Sequence, residues 1–149
     1  MSTTFSGPVI SANGFIGPVT GLETVVTLTA ASTLTAAQSG STFFLNSATE
    51  FATTLPAPSA GLVYNFIVKA APSGASYTIV TNASANIIKG QAVNAAGAAG
   101  DTGTADDTIS FVDGQAVAGD KVTVISDGTS WFAYGFCAVA DGITFTRAS

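Results

Sequence analysis

The chain has 149 residues and a formal net charge of −5, and only 9% of its residues are charged. One cysteine and no histidine exclude an intrachain disulfide and a His/Cys metal site of the usual kind. Four lysine and arginine side chains are too few to neutralise a phosphate backbone, so we expect no nucleic-acid partner. The long uncharged stretches are rich in Thr, Ser, Gly and Pro, so we expect no membrane partner either.

The low charge also predicts how the surface is covered. Globular domains average about 25% charged residues, whereas this chain has mainly Ser, Thr, Asn, Gly and Ala available for its surface. A monomer with such a surface exposes much weakly apolar area, which favours burial against other subunits. We therefore expect a component of an assembly, with enough chain for one domain with its own core.

Residues 1–22 differ from the rest of the chain, because Phe5-Ser-Gly-Pro-Val and Phe15-Ile-Gly-Pro-Val repeat one pattern ten residues apart. Proline removes a backbone donor and fixes φ, so this segment suits an extended arm better than a central strand. Two alternatives remain open: an edge segment packed on its own domain, or an arm that reaches a neighbouring protein. The predicted contact residues are Phe5, Pro8, Val9, Ile10, Phe15, Ile16, Pro18 and Val19.

From residue 23 onward, short apolar segments alternate with turn residues. β-branched and aromatic residues dominate these segments, as is typical of strands, and no sustained helical periodicity occurs. Segments 86–89 and 143–146 are weaker strand candidates. The seven clear candidates are 24–30, 42–45, 62–69, 77–81, 108–112, 121–125 and 131–139.

This spacing predicts an all-β fold, an antiparallel β-sandwich or jelly-roll-like barrel, with residues 23–149 as a single domain after the extended N-terminal arm 1–22. Asp-Gly pairs at 113–114, 127–128 and 141–142 recur every 14 residues and predict an antiparallel meander in the last third. Segment 94–104 consists of small residues with little apolar bulk, so we predict a long, mobile surface loop there.

The segment 131–139 is apolar on both faces. Alternation places Phe132, Tyr134 and Phe136 on one face and Trp131 and Cys137 on the other. Only one face of a sandwich strand meets the core, so a loop, the chain's own arm or a neighbouring subunit must cover the second. Because Trp131 and Tyr134 point to opposite faces, a shared sugar-stacking platform is disfavoured.

No set of residues indicates catalysis. A nucleophilic triad of the usual kind needs histidine, and Cys137 lies in an apolar segment that disfavours a thiolate. Most carboxylates lie in turns, and the turn itself accounts for them. Asp101, Asp106 and Asp107 could offer oxygen ligands to Ca²⁺, but their spacing does not match an EF-hand and favours a solvated loop. We predict a protein that is not an enzyme and has no cofactor and no metal.

Two stretches resemble small virion proteins of tailed bacteriophages: Phe5-Ser-Gly-Pro-Val-Ile-Ser-Ala-Asn-Gly-Phe-Ile-Gly, and the sequence from Leu34-Thr-Ala-Ala-Gln-Ser-Gly through Leu55-Pro-Ala-Pro to Asn65-Phe-Ile-Val-Lys. The resemblance implies a capsid decoration, or cement, protein that binds the outer surface of the major capsid protein shell and stabilises it as a homotrimer. It also implies synthesis in the host cytoplasm and a final location on the capsid exterior of the virion.

Two other classes are weighed against this one. A tail-fibre or receptor-binding (adhesin) module is also β-rich and trimeric, and copy number in the particle separates it from a decoration protein. An enzyme such as a lyase or depolymerase domain is disfavoured because histidine and a carboxylate cluster are absent from the sequence. For the decoration protein, we expect the β body to form the trimer while the arm lies on the capsid protein or an adjacent subunit.

Overall fold

The structure is a computed structural model that describes residues 24–47, 49–95 and 99–147. Within these ranges the chain forms twelve β-strands and two short 3-10 helices, Ala36–Gln38 and Asn82–Ser84, and no α-helix. The strands are β1 (Val25–Leu28), β2 (Ser32–Thr33), β3 (Thr42–Leu45), β4 (Ala52–Thr54), β5 (Val63–Val68), β6 (Tyr77–Val80), β7 (Ile88–Asn94), β8 (Ala99–Asp106), β9 (Thr108–Phe111), β10 (Lys121–Ser126), β11 (Trp131–Cys137) and β12 (Ile143–Thr146).

The strands form two mixed sheets that pack against each other. The seven-stranded sheet has the order β1-β3-β5-β10-β11-β7-β8, and the five-stranded sheet has the order β12-β9-β6-β4-β2. The predicted all-β sandwich is confirmed, with sheets that are mixed rather than purely antiparallel. Parallel pairs arise because consecutive strands alternate between the two sheets, so the chain re-enters each sheet in the same direction.

Strands β1 to β6 wind as three successive coils, which we call the coil stack. Each coil places one strand in the seven-stranded sheet and the next in the five-stranded sheet, as the pairs β1–β2, β3–β4 and β5–β6. The chain then returns through eight residues, 34–41 after the first coil and 55–62 after the second. Successive coils are parallel and in register, because Val25 pairs with Thr42 and Thr42 pairs with Asn65.

Stacked apolar side chains fill the inside of the coil stack. Phe43 and Phe66 are register partners whose ring centroids lie 5.5 Å apart, and Leu45 lies between Leu28 and Val68. All five side chains are buried. Burial of such a side chain stabilises a fold by about 1.5–3 kcal/mol. Because these side chains are buried against their register partners, burial of the core also stabilises the register between the coils.

The second half of the chain extends both sheets. β10 and β11 form a hairpin, and β10 also pairs with β5, which joins the hairpin to the coil stack. β7 pairs with β11 and β8, while β9 and β12 extend the five-stranded sheet. Phe145 of β12 packs over Gly103 of β8, where a Cβ would lie 2.9 Å from the Phe145 ring. The glycine therefore allows the two sheets to approach at this side.

Two sequence predictions about this half are wrong. Segment 94–104, predicted as a loop, contains most of β8, because backbone pairing with β7 can hold a strand that has little apolar bulk. The predicted meander is limited to the β10–β11 hairpin. The Asp-Gly pairs at 113–114 and 141–142 lie instead where the chain crosses from one sheet to the other.

Candidate functional site

The central strand β11 carries aromatic side chains on both faces, and the two faces differ in burial. Trp131 and Cys137 are buried in the core, whereas Phe132 is half-buried. Tyr134 and Phe136 are 56% and 47% exposed. The predicted placement of Trp131 and Tyr134 on opposite faces is confirmed. The face that carries Tyr134 and Phe136 points away from the five-stranded sheet, and it is the one that needs to be covered.

These exposed aromatic side chains belong to a larger surface, which we call the outer face. Its side chains alternate with core residues along six strands and lie in three rows that cross the seven-stranded sheet. The first row is Thr27, Phe44, Ile67, Lys121, Phe136 and Val93. The second row is Val25, Thr42, Asn65, Thr123, Tyr134 and Gln91. The third row is Val63, Ile125, Phe132 and Lys89.

The first and third rows are mainly apolar. Ile125 and Val93 are 39% and 36% exposed, and Phe44 and Ile67 are half-buried by their neighbours on the same face. Single exposed apolar residues are ordinary on a protein surface, but a contiguous patch marks a contact surface or an aggregation hazard. The outer face is therefore the strongest candidate for an interaction site among the described residues.

The second row is polar at its centre. Thr123 Oγ1 donates a hydrogen bond to Asn65 Oδ1 at 2.8 Å, which links β10 to β5 on the outer face. Tyr134 lies beside Thr123 on one side and Gln91 on the other. The exposed tyrosine ring is thus flanked by hydroxyl and amide groups, so the outer face offers directional polar contacts between its two apolar rows.

The charge of the outer face has the opposite sign to that of the whole chain. Lys89 and Lys121 are two of the four cationic residues in a chain of net charge −5, and the three rows contain no carboxylate. Lys89 Nζ lies 5.7 Å from the centroid of the Phe132 ring and 3.1 Å from Ser130 Oγ. A partner surface that is apolar with negative charges would complement these rows.

A tight turn holds the end of the outer face at the β10–β11 hairpin. Asp127 Oδ1 accepts hydrogen bonds from the backbone amides of Ser130 and Thr129, at 2.7 and 2.8 Å. These two hydrogen bonds lower the pKa of the Asp127 carboxyl, the Ser130 amide contributing most. Gly128 adopts φ +102°, which favours glycine at this position. The sequence interpretation of Asp127-Gly128 as a hairpin turn is confirmed.

Other carboxylates have structural partners of the same kind. Asp120 is buried and accepts hydrogen bonds from the backbone amides of Ala138 and Val117, at 2.8 and 3.0 Å. Glu50 accepts one from the Ser73 amide. In the described ranges, no group of three or more His, Cys, Asp or Glu side chains could hold a metal ion. These carboxylates link loops and strands through hydrogen bonds to backbone amides.

Cys137 is a core residue, as the sequence predicts. Its Sγ donates to the Val93 carbonyl oxygen at 3.6 Å, and burial raises the pKa of the thiol. A raised pKa keeps the sulfur in the unreactive thiol form at neutral pH.

The eight predicted contact residues of the arm, Phe5 to Val19, all lie outside the described residues, so their role stays a prediction. Sequence reasoning did identify the second apolar face of β11. It missed the contributions of β3, β5, β7 and β10 to the same surface. Alternation within each strand contains that signal, but only the register between strands shows that Ile67, Ile125 and Val93 join Phe136 on one face.

Comparison with known proteins adds no relative: no protein-family model, curated protein or solved structure matches this chain. Within the part of the chain that the structure describes, no helix has the length and apolar character needed to cross a membrane.

Proposed function

We propose that this chain is a non-catalytic structural protein, a capsid decoration (cement) protein that binds the major capsid shell of a tailed bacteriophage from outside and stabilises it as a homotrimer. The outer face is the observation that supports a structural role, because its two apolar rows with exposed aromatic side chains are unfavourable in water unless a partner covers them. The resemblance of residues 5–17 and 34–69 to small virion proteins supports the type of particle.

The dimensions of the outer face suit a protein partner. The six strands are four to seven residues long, and at about 4.8 Å between strands and about 3.3 Å per residue they give a surface of roughly 600 Å². A stable interface buries about 800 Å² on each partner, so the outer face would supply most of one specific contact. Exposed aromatic residues are also the side chains that most often dominate binding energy.

The composition of purified particles tests the proposal directly. Quantitative mass spectrometry of particles from the source of this chain should give about one copy for each major capsid subunit, since a decoration protein covers the whole shell. Absence from the particles would overturn the virion assignment. A handful of copies would favour a tail component instead.

A matched pair of variants tests the role of the outer face. Tyr134→Ser combined with Phe136→Ser removes two exposed aromatic residues, and Val117→Ser combined with Val139→Ser removes two apolar residues of comparable exposure that lie outside the strands. We expect the first variant to lose occupancy on particles that lack the native protein, and the second to bind normally. Equal occupancy of the two variants would remove the outer face from the proposal.

The polar second row favours one alternative, a tail-fibre or receptor-binding module. Its exposed Tyr134 ring lies beside Gln91 and the hydrogen-bonded pair Asn65 and Thr123. An aromatic ring with flanking amides can stack on a sugar and bond its hydroxyls. Binding to host polysaccharide that Tyr134→Ala abolishes, together with a low copy number, would establish this alternative.

A further inference from the structure

The two lysines of the outer face lie among its apolar side chains. Lys121 of β10 is paired in register with Ile67 of β5 on one side and with Phe136 of β11 on the other. Lys89 of β7 is the register partner of Phe132. A partner that covers this face removes water from both charges, so a partner that supplies negative charge there is favoured.

The two lysines differ in the contacts that they already make. Lys89 Nζ is 3.1 Å from Ser130 Oγ. After the hydrogen bonds of Ser130 and Thr129, its charge also contributes to the lowered pKa of the Asp127 carboxyl. Lys121 is exposed, and no hydrogen bond or ion pair joins its ammonium group to another residue in the ranges that the structure describes. Lys121 is therefore the cation of the outer face that is free to pair with a partner.

The same face of a second copy is a poor partner for these lysines. A two-fold dimer uses the same patch on both subunits, and the three rows contain no carboxylate. Such a dimer would bury the lysines of both subunits without an opposite charge, which is strongly unfavourable. The carboxylates must come from a different surface.

The other surfaces of the chain offer few free carboxylates. Asp141 is one whose side chain accepts no hydrogen bond within the described ranges. A second copy therefore offers one uncommitted carboxylate from these ranges to two lysines, so complementarity of charge favours a different protein. Six other carboxylates of the described ranges already accept hydrogen bonds from their own chain, namely Glu50, Asp106, Asp107, Asp113, Asp120 and Asp127.

The register also gives the spacing that such a protein must match. Lys121 and Lys89 lie on opposite sides of β11, beside Phe136 and Phe132 respectively, with Tyr134 midway between them. With about 3.3 Å per residue and about 4.8 Å per strand, the Cα atoms of the two lysines are about 16 Å apart along this diagonal. A matching surface has carboxylates at a comparable distance from each other, on either side of an apolar centre.

We propose that the outer face binds an acidic surface of a different protein, with carboxylates on either side of an apolar centre, and that Lys121 selects this partner by pairing with one of them. The apolar rows contribute contact area, while the unpaired charge of Lys121 disfavours apolar surfaces that lack a carboxylate. The identity of the partner as the major capsid shell rests on the proposed function.

Binding to particles that lack the native protein tests the role of Lys121. Lys121→Gln removes the charge and Lys121→Glu reverses it, whereas Arg147→Glu makes the same change in net charge directly after β12 of the five-stranded sheet. We expect Lys121→Gln to weaken binding about 30-fold and Lys121→Glu to weaken it more, while Arg147→Glu binds like the native protein. Added salt should weaken binding of the native protein more than that of Lys121→Gln. Equal affinities of Lys121→Glu and Arg147→Glu would overturn the selecting role of Lys121.

Two amphiphiles test the preference for carboxylates on the isolated protein. Decanoate and decyltrimethylammonium carry the same apolar tail and opposite charges. Below the concentration at which micelles form, decanoate should shift the amide NMR signals of Lys121 and Phe136 more than decyltrimethylammonium does, and Lys121→Glu should reverse this order. Equal shifts, or no shift with either amphiphile, would overturn the proposal, since the outer face would then have no charge preference or be covered by the chain itself.

The oligomeric state tests whether the partner is a different protein. Sedimentation velocity should give the same oligomeric state for the native protein and for Tyr134→Ser combined with Phe136→Ser, because the outer face joins no copies of this chain. A lower oligomeric state in the variant would show that it does join them, and would overturn the proposal. Failure of the native chain to bind particles would instead contradict the proposed function, because both measurements on the isolated protein are independent of particles.

Discussion

The inner and outer faces of the seven-stranded sheet both carry aromatic side chains, but only those of the inner face are accounted for by folding. On the inner face, Tyr64 and Trp131 are buried with ring centroids 5.8 Å apart. On the outer face, Tyr134 and Phe136 project into solvent from the same strand as Trp131. Stability and association can therefore be separated by alternate residues of one strand, and five experiments test this separation.

The largest effect is expected from Trp131 on the inner face. Trp131→Ala should lower the free energy of unfolding by about 3–5 kcal/mol, because the cavity cannot fully collapse. Trp131→Phe should cost much less, since Nε1 has no hydrogen-bond partner among the described residues. Urea denaturation followed by circular dichroism measures both variants. Similar losses for alanine and phenylalanine would mean that the indole group is needed for more than its volume.

Two tyrosines on opposite faces provide a matched comparison. Tyr64 Oη donates to the Thr35 carbonyl oxygen at 2.9 Å, which ties the third coil to the return of the first. Tyr64→Phe should lower the free energy of unfolding by about 1 kcal/mol, whereas Tyr134→Phe should leave it unchanged. Equal effects in chemical denaturation would contradict the assigned difference between the faces.

The same tyrosine predicts a pH dependence. Burial raises the pKa of Tyr64 above its ordinary value, which is about 10. The unfolded chain therefore ionises first, so this contribution to stability is present below about pH 10 and is lost as the pH rises through the folded-state pKa. Across that alkaline range, the free energy of unfolding should fall more steeply with pH in the native protein than in Tyr64→Phe.

The outer-face pair Tyr134→Ser and Phe136→Ser should change the free energy of unfolding by no more than about 0.5 kcal/mol, as is usual for surface positions. The same variant should bind less of a dye specific for exposed apolar surface. Thermal unfolding and dye fluorescence measure the two properties on one sample. A large loss of stability would show that the outer face belongs to the core of the fold.

The smallest effect is expected at the hairpin turn. The lowered pKa of Asp127 means that its contribution to stability is present above the unfolded pKa and is lost as the pH falls through the folded value. Asp127→Asn should therefore make acid unfolding slightly less steep below about pH 4. An unchanged acid profile would indicate that the amide hydrogen bonds at this turn do not distinguish the charged from the neutral side chain.

The sequence predicted the strands whose own composition identifies them. Seven segments and the weaker candidate 143–146 are strands, since β-branched and aromatic residues mark them. The weaker candidate 86–89 overlaps β7 only at its last two residues. β2 and β4 were not predicted because they are short and mainly polar. In the described residues they are strands because β2 pairs with β4 and β4 also pairs with β6, which holds them in register. β8 was not predicted for a related reason: it has little apolar bulk, and its backbone pairing with β7 holds it as a strand.

Whether neighbouring strands run parallel or antiparallel could not be predicted from the alternation of residues within one strand. Alternation in 62–69 identified the buried side chains Leu62, Tyr64, Phe66 and Val68, but it is the same for parallel and antiparallel neighbours. Only the path of the chain through the second sheet decides between them. The outer face was hidden in the same way, because it exists only once five strands are aligned beside β11.

The corners of the coil stack lengthen along the chain, from three residues at 29–31 to six at 46–51 and eight at 69–76, while both returns keep eight. All three corners follow parallel strands of the seven-stranded sheet and therefore emerge at one end of the sandwich. The corners at that end therefore differ in length from coil to coil, while the strands they follow stay in register. A foreign peptide inserted there, at 69–76, would be presented beside two other loops, which makes this end the natural position for peptide display on the scaffold.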